Sequence, residues 1–152
     1  MKVVREVCEK VCRGCLQFFL PMHPPRTTHQ QKEIRCLKNK PIVYESPKLK
    51  AARSKLMAHL GKYVPAEKWN GPIRLQVKWL FSGKGHDDGE WKITRPDTDN
   101  LQKLLKDCMT DLGFWEDDAL VVSEIVEKFW SKQPGIFIRV ERLELVEGGF
   151  AL

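Results

Sequence analysis

Two apolar periods, set side by side in the chain, dictate a fold that mixes strand and helix. Ile73, Leu75, Val77, Trp79 and Phe81 place an apolar side chain at every second residue, the spacing that gives a strand one buried face. Further along, Leu101, Leu104, Leu105, Cys108, Met109 and Leu112 recur with the 3.6-residue period of a helix face, and Gly113 can end that helix in a left-handed conformation. A strand and a helix that must bury their apolar sides against each other predict a mixed α/β (α+β) domain.

Other segments supply the remaining layers. Leu16 to Leu20 reads as a first strand, followed by the turn-rich MHPPRTTHQQ, where two adjacent prolines block regular continuation. Ser46 as N-cap and Pro47 as first helical residue predict a helix whose buried stripe is Leu49, Ala52, Leu56 and Leu60. Trp91 to Thr94 is expected to return as an adjacent strand after GKGHDDGE, and Ile136, Ile138 and Val140 suggest a final one. The expected division is an approach segment over 1–15, one domain with a mixed sheet and two principal helices over 16–147, and a tail over 148–152.

A chain of 152 residues, 42% of them hydrophobic, suits one core and leaves little room for a second. Its net charge of +6 speeds encounter with polyanions, which makes nucleic acid a plausible partner. No apolar run approaches the roughly 20 residues that cross a bilayer, so the sequence predicts no membrane partner and a cytoplasmic location. Five cysteines without an export signal point to reduced thiols; Cys12 and Cys15 form a CxxC pair that would need His23 or His29 to complete a zinc site, at a spacing unlike that of zinc fingers.

Charged side chains suited to phosphate contacts are Arg26 and His29 in the proline turn, Lys48, Lys50 and Lys55 on the outer side of the first helix, and Arg95 before the second. His86, Asp87 and Asp88 invite a metal but sit among glycines that fit a solvated turn. Asp97 and Asp99 bracket Thr98 at the entrance to the second helix, where exposed amides favour ionised carboxylates and a divalent cation would relieve their repulsion. The competing structural reading makes Asp97 an N-cap and Asp99 a first-turn acid paired with Lys103. Asn100 and Lys103 extend the polar end of the helix, whereas Asp107 lies too far along to share a metal. Asp117 and Asp118 precede the apolar run after Gly113 and can return across the helix, or occupy a solvated turn.

PDTDNLQK at 96–103, followed by GFWEDDALV at 113–121, resembles the RusA family of Holliday-junction resolvases, in a match that spans Leu16 to about Glu144. The resemblance implies a compact homodimer that uses magnesium, with manganese as a substitute, to cut four-way DNA at paired symmetric positions and leave 5′-phosphate and 3′-hydroxyl ends. It implies Asp97, Asp99 and Asp118 as the essential acids and metal ligands and Lys103 as the active-site lysine; Asp117 matches the neighbouring acid and is a fourth candidate ligand, although the alternation of neighbours along a strand suits it better to a cap or supporting role. A noncatalytic DNA-binding module of the same fold and a zinc-supported interaction protein are the alternatives.

Overall fold

The computed structural model describes residues 14–28 and 32–144. Strand β1 (Cys15–Leu20) is followed by a hairpin, β2 (Lys32–Leu37) and β3 (Lys40–Glu45), then helix α1 (Pro47–Leu60) with a short 3-10 turn, Gly61–Tyr63. Strand β4 (Ile73–Phe81), helix α2 (Thr98–Leu112), a 3-10 turn over Asp118–Leu120, β5 (Val121–Trp130) and β6 (Gly135–Arg142) complete the order. The main sheet runs β1-β6-β4-β5; β6 is antiparallel to both its neighbours and β5 is parallel to β4. The result is a small α+β domain with a mixed sheet and two principal helices.

Parallel strands need a crossover, and α2 provides it: the chain leaves β4, passes through α2 and returns along β5. The alternation in β4 is fully realised, with Ile73, Leu75, Val77, Trp79 and Phe81 all buried against the helices. Leu101, Leu104, Leu105, Cys108 and Met109 of α2 and Leu49, Leu56 and Leu60 of α1 meet them. Burying each such leucine is worth about 1.5–3 kcal/mol, so the helix that carries the acids is fixed to the sheet mainly by its opposite face. One polar link crosses this core: the Trp79 indole donates to Gln102 Oε1 at 3.1 Å.

The helix ends follow the expected chemistry. Ser46 Oγ accepts from Leu49 N at 3.2 Å, and Pro47 occupies the first turn, where no amide is needed. Gly113 stops α2 at φ +89°, its amide bonding to the carbonyls of Met109 and Thr110. Arg53 joins the two helices by pairing with Asp111, with Glu45 3.6 Å away.

Two local expectations change. Trp91 to Thr94 does not form a strand of its own; Trp91 makes an isolated bridge to Phe129 at the edge of β5, and the Lys92 amide bonds to the Lys128 carbonyl. The pairing ends there because the carbonyls of residues 94–96 turn toward lysine side chains, as described below. The hairpin was hidden in what reads as a turn-rich and charged stretch. Lys38 and Asn39 both take left-handed φ (49° and 61°), the conformation of a two-residue hairpin loop, and Ile34, Leu37, Val43 and Tyr44 remain exposed, so no face produces a clean alternation.

Candidate active site between α2 and β5

The crossover opens a cleft of about 390 Å³ between α2 and β5, lined by Thr98, Asp99, Gln102, Lys103, Lys106, Asp118, Glu124 and Val126. Helical spacing explains the α2 contribution: residues 99, 102, 103 and 106 fall on adjoining rows of one side, while the leucines turn inward. Glu124 and Val126 come from β5 because alternation sends both to the helix-covered face, opposite Leu75 and Val77 of β4. Asp118 is brought in by the tight return after Gly113, where Trp69 N bonds to the Phe114 carbonyl and Glu116 N to the Trp69 carbonyl.

Asp97 has the extended backbone of an N-cap, φ −75° and ψ 150°, yet its side chain caps nothing. The competing reading of Asp97 as a side-chain cap therefore has no bond to support it. Among the described residues, Asp97, Asp99, Lys103 and Asp118 have no hydrogen-bonding or ion-pairing side-chain partner, and the proposed Asp99–Lys103 surface pair is not made. Asp117 differs: its Oδ1 accepts from Ala119 N at 2.8 Å and caps the turn that presents Asp118. The structure thus gathers Asp99, Lys103 and Asp118 on one cleft, puts Asp97 at its helix entrance, and commits Asp117 to the backbone.

Sequence reasoning missed the far wall. Gln102 is only 3% exposed; because an indole N–H can only donate, the amide oxygen must face Trp79, which aims the Gln102 amide nitrogen at Glu124 Oε2, 3.3 Å away. Lys106 pairs with the other oxygen of Glu124. Gln102 fell inside PDTDNLQK, and its place on the edge of the apolar stripe was the available signal; Glu124 could be found only from the pairing of β5 with β4.

Hard oxygen donors with free lone pairs suit magnesium, which keeps several waters and commonly takes one or two carboxylates together with substrate phosphate oxygens. Asp99 and Asp118 meet that requirement, with Asp97 beside them. Among the described residues, no three His, Cys, Asp or Glu side chains converge closely enough to enclose a metal by themselves. These carboxylates do not form a closed structural metal site; a cation held here would complete its shell with water and phosphate oxygens.

The profile of the family described as Endodeoxyribonuclease RusA matches residues 19–141, which takes in the whole cleft. The chain belongs to the RusA family. A relative from Lactococcus phage r1t, described as a crossover junction endodeoxyribonuclease, is 37% identical over 109 residues, covering 70% of this chain and 82% of that protein. Membership of an endodeoxyribonuclease family gives the uncommitted acids a chemical context that their spacing alone could not.

Outside the cleft, the RusA-type chain places its other candidates as follows. Arg26 is exposed, donates to the Ser82 carbonyl at 3.0 Å and lies 6.0 Å from the Phe81 ring centroid, at the end of β4. Lys48, Lys50 and Lys55 are exposed along α1 and are not among the residues lining the cleft, and Arg95 is exposed two residues before Asp97. His29, Cys8 and Cys12 lie outside the described residues, so the zinc constellation is described only in part: Cys15 is a half-buried free thiol in β1 and His23 lies 3.2 Å from Ser82 Oγ. The His86–Asp88 segment is a turn: His86 stacks on Trp130 with centroids 4.0 Å apart and bonds to Glu90. Asp88 accepts from Lys132 N and Ser131 Oγ, which lower its pKa. Among the described residues, no helix is long and apolar enough to cross a membrane.

Proposed function

We propose that this chain is a magnesium-dependent endodeoxyribonuclease that resolves four-way DNA junctions by paired, symmetric phosphodiester hydrolysis. The observation that carries the reading is the set of unpaired charges at the cleft: Asp99, Asp118 and Lys103 on its walls and Asp97 at its entrance. Carboxylates left without internal partners keep their oxygens available to a cation and, through it, to a phosphate. The family, and the description of the phage relative as a crossover junction nuclease, support the reaction class.

Asp97, Asp99 and Asp118 would hold the cation, with manganese able to replace magnesium. The cation supplies charge that neutralises phosphate oxygens and makes water a better nucleophile. Lys103 supplies a fixed ammonium beside the phosphate as negative charge builds on its equatorial oxygens. Asp117 holds the turn that delivers Asp118. Breakage on the 3′-oxygen side leaves a 5′-phosphate and a 3′-hydroxyl, ends that a ligase can rejoin.

Among the described residues we find one such acidic cleft, whereas symmetric resolution needs two cuts, and a two-fold homodimer would supply the second. Pro24 and Pro25 are buried within the chain, which favours an exposed sheet edge over the proline turn as the contact. Arg26, His29, Lys48, Lys50, Lys55 and Arg95 would make phosphate contacts outside the cleft. The test is cleavage of a four-way junction, a replication fork and a linear duplex side by side, with magnesium present or chelated. Magnesium-dependent cutting that favours the junction is expected; cutting of the linear duplex alone would refute junction resolution, and binding without cutting would favour a DNA-binding module.

A further inference from the structure

Two lysines that line no part of the cleft grip the chain just before its first acid. Lys92 is 3% exposed, with its ammonium 5.2 Å and 4.4 Å from the ring centroids of Phe81 and Trp130. That ammonium donates to the carbonyls of Thr94 (3.3 Å) and Arg95 (2.6 Å) and to the Thr94 hydroxyl. Lys128 reaches across from β5 and donates to the carbonyls of Thr94 (2.8 Å) and Pro96 (2.7 Å). Every carbonyl of residues 94–96 is thus turned onto a lysine, and the next residue is Asp97.

Neither ammonium has a carboxylate in this set. Burying an ammonium costs several kcal/mol unless acceptors surround it, and the carbonyls of the exposed Thr94 and Arg95 could otherwise be satisfied by water. A methionine would fill the space over Phe81 and Trp130 without that cost. What the charge adds is a fixed path for the backbone of residues 94–96, and that path decides where the first turn of α2 begins. We infer that Lys92 and Lys128 are positioning residues: by clamping the backbone of residues 94–96 they set the placement of Asp97 and Asp99 for cation and phosphate. This rests on the metal-dependent reading above and adds to it two residues outside the lining of the cleft. Because they hold carbonyls, they act whatever side chain stands at position 95.

The test uses the full chain without DNA, comparing wild type with Lys128→Met, Lys92→Met and Lys128→Arg. Manganese binding is followed by electron paramagnetic resonance, and amide exchange is followed across residues 94–101. The Met variants should weaken manganese binding by about tenfold, the low end for groups that orient ligands. They should also speed exchange at 94–101 while leaving α1 unchanged, and Lys128→Arg should recover part of both losses. In cleavage, the metal concentration at half-maximal rate should rise more than the maximal rate falls. Manganese affinity within twofold of wild type in a folded Lys128→Met chain, or a lowered melting temperature with no change in either readout, would overturn the inference. If Lys92→Met does not fold, Lys128→Met decides alone. A wild-type chain that binds no manganese would refute the metal-dependent reading instead, and exchange at 94–101 would still decide whether the lysines hold the loop.

Discussion

Replacing Gln102 by leucine tests how the sheet supports the cleft wall. Trp79 is fully buried and Gln102 is 3% exposed, so their 3.1 Å bond has no water ready to replace it. Leucine keeps most of the volume but strands the indole N–H, a loss of about 1–3 kcal/mol for an unsatisfied buried donor. Glu124 loses the Gln102 amide as well, but it is partly exposed and retains Lys106, so that side should add little. For a domain of this size, 1 kcal/mol corresponds to about 2–4 °C in melting temperature, which puts the expected fall at about 2–12 °C. Thermal and urea unfolding of wild type, Gln102→Leu, Trp79→Phe and the double variant measure it. The double variant should lose less than the sum of the singles, because removing both partners leaves nothing unpaired. A Gln102→Leu chain as stable as wild type, with strictly additive losses in the cycle, would refute the claim that this bond fastens α2 to the sheet.

Lys103→Ala should cut turnover on bound junction while leaving the melting point unchanged, since its side chain faces the cleft and not the core; unchanged single-turnover rates would remove it from the catalytic set. Replacing Lys48, Lys50 and Lys55 together should flatten the dependence of log affinity on log salt by up to about 3 × 0.9; an unaltered slope would place α1 away from DNA. Burial pushes the Cys108 thiol up to about 12, so in the native state it should resist alkylation while the exposed Cys36 reacts; mass mapping of equal labelling at both would contradict the packing of α2.

The fold was legible where the apolar period was strong and single-sided. β4, α1 and α2 stand where the alternation, the Ser46-Pro47 start and the Gly113 stop put them. The β2–β3 hairpin was not legible because both its faces keep apolar residues exposed, so neither period 2 nor period 3.6 marks it. Trp91 to Thr94 misled for the opposite reason: its residues suit a strand, but Lys92 and Lys128 draw the following carbonyls out of the ladder. At the site, Asp97, Asp99, Lys103 and Asp118 could be read from two short motifs. Glu124 and Lys106 could not, because their meeting depends on how α2 lies over β5, a relation between distant segments that local spacing does not encode.

The most direct measurement is single-turnover nicking of a labelled four-way junction by folded Asp97→Asn and Asp118→Asn chains at saturating magnesium, with binding scored on the same DNA. Both variants should bind nearly as wild type does and nick at least about 100-fold more slowly, equivalent to roughly 2.7 kcal/mol of transition-state stabilisation. Near-wild-type nicking by both would contradict the assignment of the acids at the α2–β5 cleft as the centre that cuts DNA.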